Sequence, residues 1–194
     1  GSGKFIASFS RNPQLSDAIH DLLKQRDGLM LGICNGFQAL IKLGLVPFGE
    51  IVPMDDHCPT LTYNLIGRHQ SRYCTTRVAS VKSPWMMHCN VGDLHNIPVS
   101  HGEGRFVATK EMLEQLIAGG QIATQYTDLE GVPSMDIAYN PNGSMLAIEG
   151  ITSPDGRVLG KMGHTERAGQ FVGKNIYGGK YQPIFQAGVD YFKL

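Results

Sequence analysis

Apolar residues return along this chain in two rhythms. Leu15, Ile19, Leu22 and Leu23 recur at helical spacing behind Asn12-Pro13, an N-cap followed by a first-turn proline, and Asp27-Gly28 closes that segment. Residues 28–33 are instead an unbroken apolar run, as in a buried strand, and residues 35–43 are helical again up to Gly44. Between about residues 47 and 101 turn residues are dense, and short strands are predicted at 62–66, 73–80 and 97–100. A helix is predicted over 110–118, stopped by Gly119-Gly120, and then a strand over 121–126. Segments 138–140 and 145–151 read as strands around Pro141-Asn142-Gly143-Ser144. The turn Ser153-Pro154-Asp155-Gly156 returns the chain into a strand over 157–162. A last helix over about 182–192 places Ile184, Phe185, Val189 and Phe192 on one face.

Strands between helices predict a layered α/β fold: a mostly parallel central sheet flanked by helices, with a β-rich excursion. A parallel sheet needs several strand–crossover–strand units, yet only one precedes residue 34, and the chain opens on glycines rather than a strand. The expectation is one domain over 1–194, the C-terminal fragment of a longer chain whose N-terminal strands lie elsewhere.

Composition narrows the class. At 194 residues, 42% hydrophobic and with zero net charge, the chain reads as a soluble globular domain with no basic excess for nucleic acid or a membrane surface. Apolar runs fall short of the roughly 20 residues a membrane span needs, and the N-terminus carries no signal-peptide core. Cys34, Cys58, Cys74 and Cys89 form no Cys-x-x-Cys pair, so free thiols in a reducing, cytoplasmic setting are expected. His57-Cys58, His88-Cys89, His69 and Cys74 match no standard zinc spacing, so no metal is assigned, and the last three cysteines read as structural thiols.

Chemistry concentrates at two glycine-marked strand ends. In Gly32-Ile33-Cys34-Asn35-Gly36-Phe37-Gln38 the apolar strand stops, turns sharply and presents a cysteine at the start of a helix. This is the logic of a nucleophile elbow, with Gly32 and Gly36 placed where side chains would collide and a helix start that favours the thiolate. In Gly163-His164-Thr165-Glu166-Arg167 a strand end presents an imidazole, with a carboxylate two residues on. A cysteine nucleophile wants a base, and the base wants an acceptor that holds its tautomer. Alone, such a cysteine is usually a core residue and a His-x-Glu pair a solvated loop. Together, Cys34, His164 and Glu166 point to a Cys-His-Glu hydrolase or transferase.

These motifs, with Ser100-His101-Gly102-Glu103-Gly104-Arg105 and Asn140-Pro141-Asn142-Gly143-Ser144, resemble the class I (triad) glutamine amidotransferases, and within them the glutaminase of phosphoribosylformylglycinamidine synthase. Gly44-Leu45-Val46-Pro47 and Gly67-Arg68-His69-Gln70-Ser71-Arg72 look most like the version fused to its synthetase in a long bacterial polypeptide, with the separate small subunit second. The resemblance implies a flavodoxin-like fold and release of ammonia from glutamine by Cys34, His164 and Glu166. The backbone N–H of Asn35 would be an oxyanion donor and Gln38 a glutamine-binding residue. It also implies a second oxyanion donor from a glycine-rich loop outside this sequence, so that these residues alone would be nearly inactive. The ammonia would pass to a synthetase domain or subunit that makes formylglycinamidine ribonucleotide in purine synthesis; ATP and Mg²⁺ belong to that part and no cofactor to this one. His101, Glu103, Arg105 and Arg167 would shape the pocket or meet the synthetase. Residues 54–58 and Trp85-Met86-Met87 could be core or interface. The alternatives are a peptidase or deglycase on a similar fold, and a non-catalytic binding module.

Overall fold

A computed structural model describes residues 2–193. Helix α1 (Ser2–Ser10) is followed by α2 (Pro13–His20), where the Asn12 side chain accepts from Gln14 N as the cap pattern predicts, and a further π-type turn runs to Gln25. Strand β1 (Met30–Ile33) feeds α3 (Asn35–Leu43), which ends at Gly44 in the left-handed conformation, and a short kinked α4 (Leu45–Phe48) follows. The remaining elements are β2 (Thr60–Thr62), β3 (Gln70–Val78), β4 (Leu94–His101), β5 (Arg105–Val107), α5 (Lys110–Ala118), β6 (Ile122–Tyr126), β7 (Ile148–Thr152), β8 (Val158–Lys161) and α6 (Ile184–Tyr191).

Six strands form one sheet in the order β1-β8-β7-β6-β3-β4, and β2 pairs with β5 in a separate ribbon. The layered α/β class is as expected, but within the sheet only β1 and β8 run parallel; the other four pairings are antiparallel. The parallel pair carries the chemistry: Ile33 lies opposite Lys161, so the segments leading to Cys34 and His164 leave the same end of adjacent strands. Most of the β-rich excursion joins the main sheet, which β3 and β4 extend, while β2 pairs with β5 apart from it.

Side chains alternate between two cores. Phe37, Leu40 and Ile41 of α3 pack with Ile148, Ile151, Val158 and Met162 on one face of the sheet. Val78, Ala123 and Leu159 meet Ile184 and Met86 on the other. Of the Trp85-Met86-Met87 patch, Met86 is in the core, Trp85 packs partly buried against it, and Met87 is exposed. Trp85 Nε1 donates to Met30 O (3.1 Å) and Arg157 O (3.2 Å), closing the start of the parallel pair.

Several boundaries move. The strand expected at 62–66 sits at Thr60–Thr62, residues 138–140 form a turn, and 145–147 are a 3₁₀ turn ahead of β7. Helix α1 was not anticipated. Only Ile184 of the expected apolar face of α6 is buried; Phe185 and Val189 are 45% and 53% exposed, and Ala187 and Gly188 face the protein instead.

Candidate active site

Cys34 sits between β1 and α3 with φ 52° and ψ −103°, a conformation that strains any residue but glycine by on the order of 1–3 kcal/mol. The parallel pair holds it there, since Cys34 N donates to Lys161 O at 2.9 Å while its carbonyl accepts from Gln38 N at 3.0 Å. The elbow is close because Gly32 lies against Gly36: a Cβ on Gly32 would stand 2.7 Å from the Gly36 carbonyl carbon. Gly36 itself has open space around its Cβ position, so the expected crowding applies to Gly32 alone.

On the neighbouring strand end, His164 N donates to Pro98 O at 2.8 Å, fixing the backbone below the ring. His164 Nδ1 lies 2.5 Å from Glu166 Oε1. A carboxylate oxygen accepts here, so Nδ1 is the donor, and in the neutral imidazole that leaves the lone pair on Nε2. That Nε2 is buried and has no hydrogen-bond partner among the described residues. Arg167 Nε lies 3.8 Å from the same Glu166 oxygen.

Cys34 Sγ–H donates to Ser100 O at 3.7 Å. Burial raises the thiol pKa, against the lowering effect of the Asn35 N–H and the Arg167 charge, and with Glu166 adding to the rise. The helix start thus acts on the sulfur in the expected sense, but desolvation wins and the resting group is a thiol. Its titration does not single Cys34 out, since burial also pushes Cys74 and Cys89 up to about 11. What distinguishes Cys34 is its elbow, its helix start and the neighbouring imidazole. Cys74 and Cys89 are buried as expected, whereas Cys58 is only half-buried.

A cleft of about 330 Å³ opens beside the sulfur, lined by Cys34, Asn35, Gln38, Tyr63, His101 and Glu103 among others. A larger groove near α5, about 470 Å³, includes none of the triad. Gln38 lines the cleft and its Nε2 donates to Glu103 O at 2.5 Å, tying α3 to the loop after β4. Arg105 is not in the cleft wall; its Nε donates to Gly143 O at 3.3 Å. Ser100 and His69 lie in runs that carry the resemblance but were not singled out as cleft residues, and Tyr63 was missed altogether, with nothing in its local pattern to mark it.

The run from Asn140 to Ser144 is a brace rather than a wall. Asn142 Nδ2 donates to Gly104 O at 2.6 Å, and Ser144 Oγ accepts from Phe106 N at 2.9 Å. Asn140 Oδ1 accepts from Gly143 N and Ser144 N, closing the turn on itself. All three side chains are buried, so they hold the loop of His101 and Glu103 against the cleft.

Asn64 Nδ2 donates to the carbonyls of His101 and Arg68, which leaves its Oδ1 to accept from His101 Nδ1 at 3.1 Å. Burial pushes the His101 imidazole down to about 4. Its folded pKa lies below the 6.5 of an ordinary histidine, so the unfolded chain takes up a proton that the folded chain refuses. This contribution to stability is complete above about pH 6.5 and is lost as pH falls toward 4, at up to about 1.4 kcal/mol per pH unit. Urea unfolding at pH 7, 6 and 5 should show this slope, and His101→Gln should flatten it. An equal slope in the variant would place the acid sensitivity elsewhere.

The comparisons with known proteins bear on this site. A family model described as a CobB/CobQ-like glutamine amidotransferase domain matches residues 1–192. The phosphoribosylformylglycinamidine synthase subunit PurQ of Aquifex aeolicus is 35% identical over 84% of this chain and 65% of the relative. The protein of the same name from Synechococcus elongatus is 35% identical over 92% of this chain and 72% of its own length. A structure of PurLQS from Thermotoga maritima superposes with a TM-score of 0.70 and 26% identity, covering 96% of this chain and 71% of that one.

Proposed function

Since the chain belongs to the CobB/CobQ-like glutamine amidotransferase domain family, we propose that it is a glutaminase whose Cys34, His164 and Glu166 release ammonia from glutamine. The observation that carries this reading is the buried Nε2 of His164, its tautomer held by Glu166, on the strand end next to Cys34.

The chemistry follows from these groups. His164 Nε2 takes the Sγ proton as the sulfur bonds to the side-chain amide carbon of glutamine. The negative oxygen of the tetrahedral intermediate is met by the Asn35 N–H at the start of α3, a type of donor worth roughly 3–4 kcal/mol elsewhere. The imidazolium then protonates the amide nitrogen, the C–N bond breaks and ammonia leaves, with a γ-glutamyl thioester on Cys34. Water, deprotonated by the same Nε2, releases glutamate. Glu166 steadies the imidazolium throughout. Gln38 and the loop of His101 and Glu103 form the glutamine pocket, and Arg167 sets the charge at its rim.

The relatives named as a subunit of phosphoribosylformylglycinamidine synthase support a destination for the ammonia, a synthetase that is fused or a companion subunit. The conversion of formylglycinamide ribonucleotide to formylglycinamidine ribonucleotide there, with ATP and Mg²⁺, is part of the proposal. Such a pathway belongs in the cytoplasm, and no helix among the described residues is long and apolar enough to cross a membrane.

Alkylation by a chloroketone analogue of glutamine, followed by peptide mass mapping of the natural protein, tests the assignment. One adduct at Cys34, prevented by excess glutamine, is expected. Modification spread over other cysteines, or indifference to glutamine, would remove the glutamine pocket from this cleft.

A further inference from the structure

Strands β7 and β8 are buried along their whole length, yet each carries a charged residue, Glu149 at 0% and Lys161 at 1% exposure. Lys161 Nζ and Glu149 Oε1 lie 3.3 Å apart. A buried ion pair costs so much desolvation that a well-packed apolar pair of similar size often serves stability as well or better. The partners of this pair suggest another purpose.

The remaining bonds of the pair converge on the segment that carries His164. Glu149 Oε1 accepts from Gly163 N at 2.5 Å, while its other oxygen accepts from the Thr124 hydroxyl. Lys161 Nζ donates to Gly163 O at 2.9 Å and to Thr165 Oγ1 at 2.8 Å. The Thr165 hydroxyl, already accepting from the ammonium, donates in turn to Gln182 Oε1 at 2.8 Å. Both neighbours of His164 are therefore fastened to the pair, and Gly163 is seated directly on it. A Cβ there would stand 2.9 Å from Glu149 Oε1 and 2.7 Å from Ile97 Cγ2.

We propose that Glu149, Lys161 and Thr165 are positioning residues, which hold the backbone on both sides of His164 so that Nε2 faces the sulfur of Cys34. The inference rests on the glutaminase reading above. None of the three lines the cleft beside Cys34. Their effect is geometric, and a base displaced by about 1 Å can lose on the order of 100-fold in rate.

Two variants of the natural protein test this. Thr165→Val removes the hydroxyl that links ammonium to amide, and Glu149→Gln with Lys161→Met removes both charges together, avoiding a lone buried charge. Each should lower kcat for glutamine by about 10- to 100-fold. KM should stay within about twofold, the signature of an interaction used only in the reaction step. Thr165→Ser should recover wild-type kcat. Amide hydrogen exchange over residues 162–167 should quicken in both variants while the melting temperature of Thr165→Val stays near wild type. Unchanged kcat and exchange in Thr165→Val would overturn the proposal, and so would a loss of activity that only tracks the unfolded fraction. A wild-type protein that hydrolyses no glutamine would sink the glutaminase reading. The exchange measurement needs no substrate, so it judges the anchoring of His164 separately.

Discussion

Glutamate release from glutamine should fall by about 10⁴-fold or more in Cys34→Ala, because in the proposed mechanism both chemical steps pass through the one sulfur and no other thiol shares its surroundings. Cys74 and Cys89 are buried in the core, and Cys58 lies outside the cleft lining. In the natural protein, synthesis supported by added ammonia should persist at the wild-type rate, since that chemistry needs no glutaminase. Cys34→Gly sharpens the test. At φ 52° and ψ −103° every side chain is strained, so glycine should raise the unfolding free energy by about 1 kcal/mol while being equally inactive. Loss of glutamate release without loss of stability would separate the nucleophile from a structural cysteine. Retention of glutamine hydrolysis in either variant would remove Cys34 from the reaction.

How much of this was legible in the sequence depended on range. Where one turn of chain decides the outcome, the pattern sufficed. The helix Lys110–Ala118 was bounded by its apolar spacing and Gly119-Gly120, and α3 began and ended where Cys34 and Gly44 implied. The same holds for where Cys34 and His164 sit: each is marked by a glycine near a strand end, and their shared end of the sheet follows from the parallel pairing of β1 and β8. The antiparallel return of β8 on β7 was legible from the Ser153–Gly156 turn, but the direction of β6 against β7 was not, because they are joined by a long connection whose path is set by the Asn140–Ser144 brace rather than by local spacing. The brace itself was visible only as a turn, since hydrogen bonds from Asn142 to a loop 38 residues away leave no local trace. Lys161 and Glu149 did leave one, a lone charge in each of two apolar strands, and a buried charge asks for a partner.

The glycines around Cys34 give the second large effect, and here geometry corrects symmetry. Both flank the nucleophile at two residues' distance, yet only one is needed for space. A methyl on Gly32 would meet the Gly36 carbonyl oxygen at 2.8 Å and Leu40 Cδ1 at 2.5 Å, so β1 and α3 must separate to admit it. That separation strains the bond from Cys34 N to Lys161 O and shifts the whole first turn of α3, with the Asn35 N–H and Gln38 on it. Overpacking of this kind costs about 1–3 kcal/mol where side chains can give way, and more where backbone is the obstacle. Gly32→Ala should therefore unfold at markedly lower urea, by about 3 kcal/mol or more. Gly36→Ala meets nothing within 4 Å and removes a helical glycine, so its stability should rise by up to about 1 kcal/mol. Equal losses in the two variants would show that the elbow depends on glycine's backbone freedom at both positions rather than on the closeness of strand and helix at Gly32.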